Sequence, residues 1–256
     1  MNEETHWNGI AGRYEDEIFD VFKSDKKKIL PAYFEKYANK DHSVIDFGCG
    51  IGKAFPYLAQ LFKGILAIDI SAECIARAKS NPWSNITFIR ADLTRPGLRL
   101  PQANFAFCCN VIMLPEIKKN EAMIRNIHKA LKVSGAAVVV VPSFESILYS
   151  SWQLMEWYRK EGVKPGEIAD SELSYYKGSK RDILQGIMQI SAVPTKHYLQ
   201  PEIEVLFRNA GLSVLAIDKV EYDWSTEFNA PPKWMREPYP WDWLVECKKI
   251  KEGYSS

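Results

Sequence analysis

The chain has 256 residues, 46% of them apolar and 25% charged, which suits one globular α/β domain with an elaborated cap. Its 33 basic side chains against 32 acidic ones leave a formal net charge of +1, so there is no field of one sign to draw in nucleic acid. No run approaches the roughly 18 apolar residues of a membrane span. The polar start Met-Asn-Glu-Glu-Thr-His lacks an apolar signal core. Five cysteines (Cys49, Cys74, Cys108, Cys109, Cys247) form no CxxC pair and mostly sit in apolar runs. These features read as a reduced, cytoplasmic protein with no membrane contact and no metal site.

Residues 1–42 read as a helical cap, because Trp7, Ile10, Tyr14, Ile18, Val21 and Phe22 recur at three- and four-residue steps along one stripe. From residue 43 onward, strand-like and helix-like stretches alternate. Strands are expected at Ser43–Phe47, Gly64–Ile68, Ile86–Arg90, Phe105–Cys109, Ala136–Pro142, Ser213–Lys219 and Trp243–Lys248. Helices are expected at Ala54–Phe62, Ala72–Ser80, Lys119–Lys132 and Glu202–Ala210, with Gly135 and Gly211 as stop signals for the last two. Alternation of this kind implies a parallel sheet covered on both faces. Between Lys219 and Trp243 no helix intervenes, so the last strand should return antiparallel.

At the end of the first strand the chain reads Asp46-Phe47-Gly48-Cys49-Gly50-Ile51-Gly52. A strand, a glycine-rich turn and a helix in that order can cradle a ligand, since glycine admits close backbone approach and a helix start offers free N–H groups. A dinucleotide fingerprint needs glycine at its first, third and sixth positions. The sixth place here is Lys53. Asp69 ends the second strand, where one carboxylate suits the vicinal diol of a ribose, a feature common to several nucleoside cofactors; it could equally cap the next helix. Asp92 follows the third strand at the same spacing, so Asp46, Asp69 and Asp92 fall at the carboxyl ends of three strands.

Asp-x-Gly-x-Gly-x-Gly at 46–52 resembles motif I of the class I S-adenosylmethionine (SAM) dependent methyltransferases. Asp92-Leu93 is similar to that family's acid after the third strand, and Ile127-His128-Lys-Ala-Leu131-Lys-Val-Ser-Gly135 to its helix, turn and glycine before the fifth. Ser134 stands where many members have glycine, which reads as a harmless change, and His128 reads as structural. The resemblance covers residues 43–142 and 201–249. It implies a Rossmann-like seven-stranded sheet, mostly parallel with an antiparallel last strand, carrying the 1–42 helical cap and an insert at 143–200 after strand five. It also implies SAM as cofactor: Asp46, Gly48, Cys49 and Gly50 as the cradle, Asp69 with Ile70 at the ribose, and Asp92 with Leu93 at the adenine. Asn110 would meet the methionine end, and Tyr14 would close over the cofactor.

The (Asp/Asn)-Pro-Pro-(Tyr/Phe) motif of nucleic-acid amino-methylating families is absent, so the expected acceptor is a small molecule. Methyl transfer would then proceed by in-line displacement, with positioning as the main catalytic device. The insert starts at the cofactor edge of the sheet and opens with an aromatic helix, Ile147–Tyr158. The connection 220–242, rich in aromatic residues, lies at the same edge. Together with the N-terminal helix they imply a pocket for an apolar or cationic acceptor. Glu145, Tyr149, Trp152 and Trp224 are the substrate-binding candidates, and His197, which precedes the helix before strand six, is either a candidate base or a plain capping or surface residue. The cluster Lys177–Arg181 could meet an anion or be a solvated loop. Other readings left open are a peptide or protein methyltransferase, an NAD(P)-dependent oxidoreductase and a non-catalytic SAM-binding protein.

Overall fold

The computed structural model describes residues 3–169, 182–190 and 193–250. The Lys177–Arg181 cluster lies outside these residues. Among the described residues, seven of nine strands form one sheet: β1 (Asn39–Phe47), β2 (Phe62–Asp69), β3 (Ile86–Arg90), β4 (Ala103–Cys109), β5 (Leu131–Pro142), β8 (Leu212–Glu221) and β9 (Trp241–Lys249). Their order is β3-β2-β1-β4-β5-β9-β8, with β9 antiparallel to both neighbours and the pairs among the first five strands parallel. The expected seven-stranded sheet with its reversed last strand is therefore observed. The remaining two, β6 (Ile187–Ile190) and β7 (Val193–Lys196), pair as an antiparallel ribbon inside the insert.

Alternation along the central strands separates two cores. Ile45, Phe47, Ala106, Cys108, Val139 and Val245 face one side, covered by α7 (Ile117–Ala130) and α9 (Gln200–Asn209). Val44, Phe105, Phe107, Val138, Val140 and Leu244 face the other, covered by α4 (Ile29–Tyr37) and the single turn α5 (Phe55–Leu58). Helix α6 (Ala72–Ala78) packs beside β2 and β3, and starts where the Ser71 hydroxyl accepts from the Cys74 N–H. Helix α8 (Phe144–Lys160) leaves the end of β5 directly, capped in the same way by Ser143.

Three expectations need correcting. Residues 1–42 do not form one stripe of continuous helix. They divide into α1 (Glu3–Ile10), a 3₁₀ turn, α2 (Tyr14–Glu17), α3 (Val21–Ser24) and α4, with the chain extended at Ile18 and Asp20 capping α3. Helix α4 is no cap either: Leu30 and Phe34 are fully buried under the sheet. The expected helix Ala54–Phe62 is one turn long, since β2 already begins at Phe62. Ser134 adopts φ +64°, a backbone state that costs about 1 kcal/mol for a residue other than glycine, so serine there is not a neutral replacement.

Candidate active site

The loop after β1 is built around glycines in left-handed backbone. Gly48 has φ +71° and Gly50 φ +52°. A Cβ at Gly48 would meet the Val111 side chain at 2.2 Å, and one at Gly50 would meet the Tyr14 hydroxyl at 2.4 Å. Both positions thus need glycine twice over, for conformation and for space. The Gly48 and Cys49 N–H groups donate to Ile68 O at 2.8 and 2.9 Å, tying the loop to the end of β2.

Asp69 completes this tie. Its Oδ2 accepts from the Gly50 N–H and its Oδ1 from the Ser71 N–H, each at 2.8 Å. Ser71, not Asp69, caps α6, so the capping alternative for Asp69 falls away. Burial pushes the Asp69 carboxyl upward, opposed by its backbone donors. Above it lies the N-terminal segment: Asn8 Oδ1 accepts from the Ser71 hydroxyl at 2.7 Å, Glu4 pairs with Arg90, and Arg77 donates to Ala11 O. Tyr14 sits under this cover against Gly50; its phenol is raised by burial and then by the Asp69 charge.

Asp92 stands two residues past β3, and its Oδ1 accepts from the Thr94 N–H and hydroxyl at 2.9 and 2.6 Å. Leu93 is buried beside it, and Ile70 O accepts from Arg90 Nε at 3.3 Å. The three acids do lie at the ends of adjacent strands β1, β2 and β3.

A cavity of about 790 Å³ opens above the ends of β1, β4 and β5. Asp46, Gly48, Cys49, Tyr14 and Asn110 line it; Asp69, Ile70, Asp92 and Leu93 lie outside the lining. Asp46 is buried, and its Oδ2 has no hydrogen-bond partner. Burial, with a smaller push from Asp69, raises its carboxyl to about 8. Asn110 adopts φ +52° at the end of β4, which asparagine tolerates better than most residues. Its Nδ2 donates to Asp242 Oδ2 at 3.0 Å, and its own Oδ1 is buried without a partner.

The far wall belongs to the insert and to the segment before β9. His197 is 4% exposed, and its Nδ1 lies 3.1 Å from Thr195 O. A carbonyl only accepts, so Nδ1 carries the proton and Nε2 keeps its lone pair. Burial depresses the ring to about 4, which holds it neutral. Its backbone is clamped as well, the His197 N–H donating to Gly186 O at 2.8 Å. Neither a surface nor a capping role describes this residue.

Asp242 Oδ2 accepts from Tyr222 Oη at 2.8 Å in addition to Asn110. Burial pushes Asp242 to about 6 against these donors and the Ser143 N–H. Glu227 lines the cavity, and desolvation followed by the Asp242 charge pushes it to about 7 against a hydrogen bond from Ser150.

The four expected substrate residues are placed elsewhere. Glu145, Tyr149 and Trp152 share one stripe of α8, and Trp224 packs against it; none of the four lines the cavity. Glu145 accepts from the Gln200 N–H and from Trp243 Nε1, locking α8 to α9 and β9. Tyr149 donates to Pro238 O and accepts from Gln153, Trp152 is 55% exposed, and Trp224 is buried with its Nε1 donating to Arg236 O. The opposite stripe of α8 faces the cavity instead, through Ile147, Leu154, Trp157 and Tyr158. Phe228 and Trp241, aromatic residues of the 220–242 connection, do line the cavity, whereas Asp242 and Glu227 escaped selection from the sequence. Their signal was topological: the 220–242 connection had to cross the cofactor edge of the sheet.

Among the described residues no group of three or more His, Cys, Asp or Glu could hold a metal ion, and no helix is long and apolar enough to cross a membrane. Residues 44–135 match the family model of the methyltransferase domain. No curated protein matches the chain. Solved structures do. A SAM-dependent methyltransferase from Anabaena variabilis ATCC 29413 is 17% identical with a TM-score of 0.64, covering 97% of this chain and 96% of its own. The N-methyltransferase NodS from Bradyrhizobium japonicum WM9, in complex with S-adenosylhomocysteine (SAH), is 12% identical at 0.61, covering 98% and 100%. A SAM-dependent methyltransferase from Mesorhizobium loti is 16% identical at 0.58, covering 90% and 100%. At such identities the likeness is one of fold.

Proposed function

We propose that this chain, whose residues 44–135 form a SAM-dependent methyltransferase domain, transfers the methyl group of SAM to a small molecule held in the cavity. The observation that carries the reading is a pair of unspent acceptors on one wall, Asp46 Oδ2 and Asn110 Oδ1, both buried and both without a donor. An ammonium brings three donors and the charge that an ionised Asp46 lacks. The α-ammonium of SAM has that chemistry, and the glycine loop beside it admits close backbone approach. Asp69 keeps lone pairs for a ribose diol next to its two backbone donors. The residues present therefore fit the group.

In this reading Gly48, Cys49 and Gly50 cradle the cofactor, Asp69 and Ile70 meet the ribose, and Asp92 and Leu93 meet the adenine. Tyr14 and α1, which cover Asp69, shift to admit the nucleoside and then close over it. When bound, SAM supplies a methyl group already activated by its sulfonium. The chain's remaining task is to hold the acceptor in line and exclude water, and orientation of this kind is worth roughly 7–11 kcal/mol. Trp157, Tyr158, Phe228 and Trp241 wall the acceptor end. His197 Nε2, kept free by the Nδ1 bond, accepts the proton that the acceptor loses.

Titration tests the cofactor: SAM should bind and NADH should not, whereas NADH binding in its place would overturn the domain's reading. The acceptor class is tested with methyl-labelled SAM and a cell extract split by size. Label should enter the small-molecule fraction. Label confined to the macromolecular fraction would make the acceptor a protein or nucleic acid.

A further inference from the structure

Among the described residues, the acceptor end of the cavity carries two carboxylates and no cation free of a partner. Lys53, the cation on its wall, is paired with Asp20 at 2.7 Å. Asn110 Nδ2 and Tyr222 Oη donate to Asp242, Thr226 Oγ1 to Asp223 O, Trp157 Nε1 to Glu161 and His197 Nδ1 to Thr195 O. What remains unspent is the carboxylate lone pairs of Glu227 and Asp242, His197 Nε2 on a side chain 96% buried at the cavity wall, and one neutral donor, Trp241 Nε1. Aromatic rings fill the gaps between them: Phe228 stacks on Trp224 at 5.6 Å and meets Trp157 edge-on at 6.0 Å.

Among the described residues, a carboxylic acid or phosphate entering this space would meet carboxylates and no unpaired cation. A neutral alcohol could satisfy one acceptor and would leave a second charge without compensation. A protonated amine satisfies both, through its charge and its several N–H donors, and rings beside it add cation–π attraction.

We infer that the methyl acceptor is an amine, held as its ammonium ion by Glu227 and Asp242 among the aromatic rings, and that the product is an N-methylated amine. This rests on the reading of the Asp46 side of the cavity as the SAM site, since that ligand occupies the other pair of acceptors. Burial pushes both carboxyls upward, Glu227 with a further push from the Asp242 charge, and an arriving cation would favour their ionised forms. Transfer requires the ammonium to lose one proton, taken by His197 Nε2 and passed to water. The nitrogen lone pair then forms the N–C bond while the C–S bond breaks, its electron pair staying on sulfur to give SAH. Nothing is oxidised or reduced.

Calorimetry with phenethylamine, phenethyl alcohol and phenylacetate as probes, each with SAH present, tests the assignment. The amine should bind about tenfold or more tightly than the alcohol, and phenylacetate more weakly than either. Glu227→Gln should lower amine affinity about tenfold while leaving the affinities for the alcohol and for SAH unchanged, and Asp242→Asn should act in the same direction. Equal binding of amine and alcohol, preference for phenylacetate, failure of the amine to bind, or indifference of the amine to Glu227→Gln would each overturn the inference. SAH affinity is read separately, and its absence would instead break the cofactor reading.

Discussion

The two ends of this cavity are built on different principles. At the cofactor end, function rests on backbone: glycines with positive φ, strand ends in register, and Asp69 bonded to two loop N–H groups. The end proposed for the acceptor is walled by side chains from four separate elements: α8, the strand β7 approach to His197, the 224–229 turn and the start of β9. Backbone requirements restrict residue type at each position, and so they write a local pattern. Side chains gathered from distant segments need only the right chemistry at the right place in space. The first end is therefore readable along the chain, while the second is readable in the fold.

His197→Gln offers the sharpest break between the two. A base confined to the acceptor end should lower kcat by about 10²–10⁴ and leave SAM affinity untouched. A fall in SAM affinity instead would put His197 at the cofactor end, and an unchanged kcat would reduce it to a wall residue. The converse variant is Asp69→Ala. It removes the ribose acceptor together with the tie between Gly50 and Ser71, so SAM affinity should fall about 100-fold with circular dichroism preserved. Unchanged affinity would sink the ribose assignment.

Legibility follows the same division. The seven strands and the acid row at Asp46, Asp69 and Asp92 could be read from apolar runs and their spacing, and the reversed β9 from the lack of a helix between Lys219 and Trp243. The lengths of helices were less legible. Ala54–Phe62 has a helical apolar pattern, but β2 claims Phe62 and leaves α5 one turn. The N-terminal stripe predicted the right surface and the wrong continuity: Trp7, Tyr14, Ile18, Val21 and Phe22 all reach the cavity, though the chain breaks between them. On α8 the aromatic pattern offered two stripes. Glu145, Tyr149 and Trp152 lie along one, and Ile147, Leu154 and Trp157 along the other. Periodicity alone defines both faces and cannot tell which meets the cavity; the packing of Tyr149 against Pro238, Trp224 and Trp241 decides.

A paired truncation turns that choice into a measurement. Trp157→Ala removes a cavity wall and should raise the acceptor KM about tenfold, the cost expected for losing much of one buried aromatic contact. Trp152→Ala, on the exposed stripe, should leave KM unchanged. Equal effects would mean that the two faces of α8 contribute alike and that the division between them is drawn in the wrong place.

The smallest effect concerns a proton at the cofactor end. Asp46 carries a carboxyl raised to about 8 by burial, so the ligand-free fold favours its protonated form. The sign of the linkage is then settled. The folded state binds the proton more tightly than the unfolded chain, so the stabilisation is complete below the ordinary value of 3.8 and is lost as pH rises towards 8. Asp69, Cys49 and Cys108 face the same carboxyl, and none supplies a positive charge. An arriving ammonium would, and at neutral pH it should expel the Asp46 proton. SAM binding should therefore release nearly one proton, seen as a heat that varies with buffer ionisation enthalpy, and Asp46→Asn should abolish that release. The same variant should gain thermal stability over the parent between pH 5 and 8, by a margin that widens with pH. A margin independent of pH would mean that Asp46 is already ionised without ligand, and that the orphaned Oδ2 is not the contact that distinguishes the cofactor end.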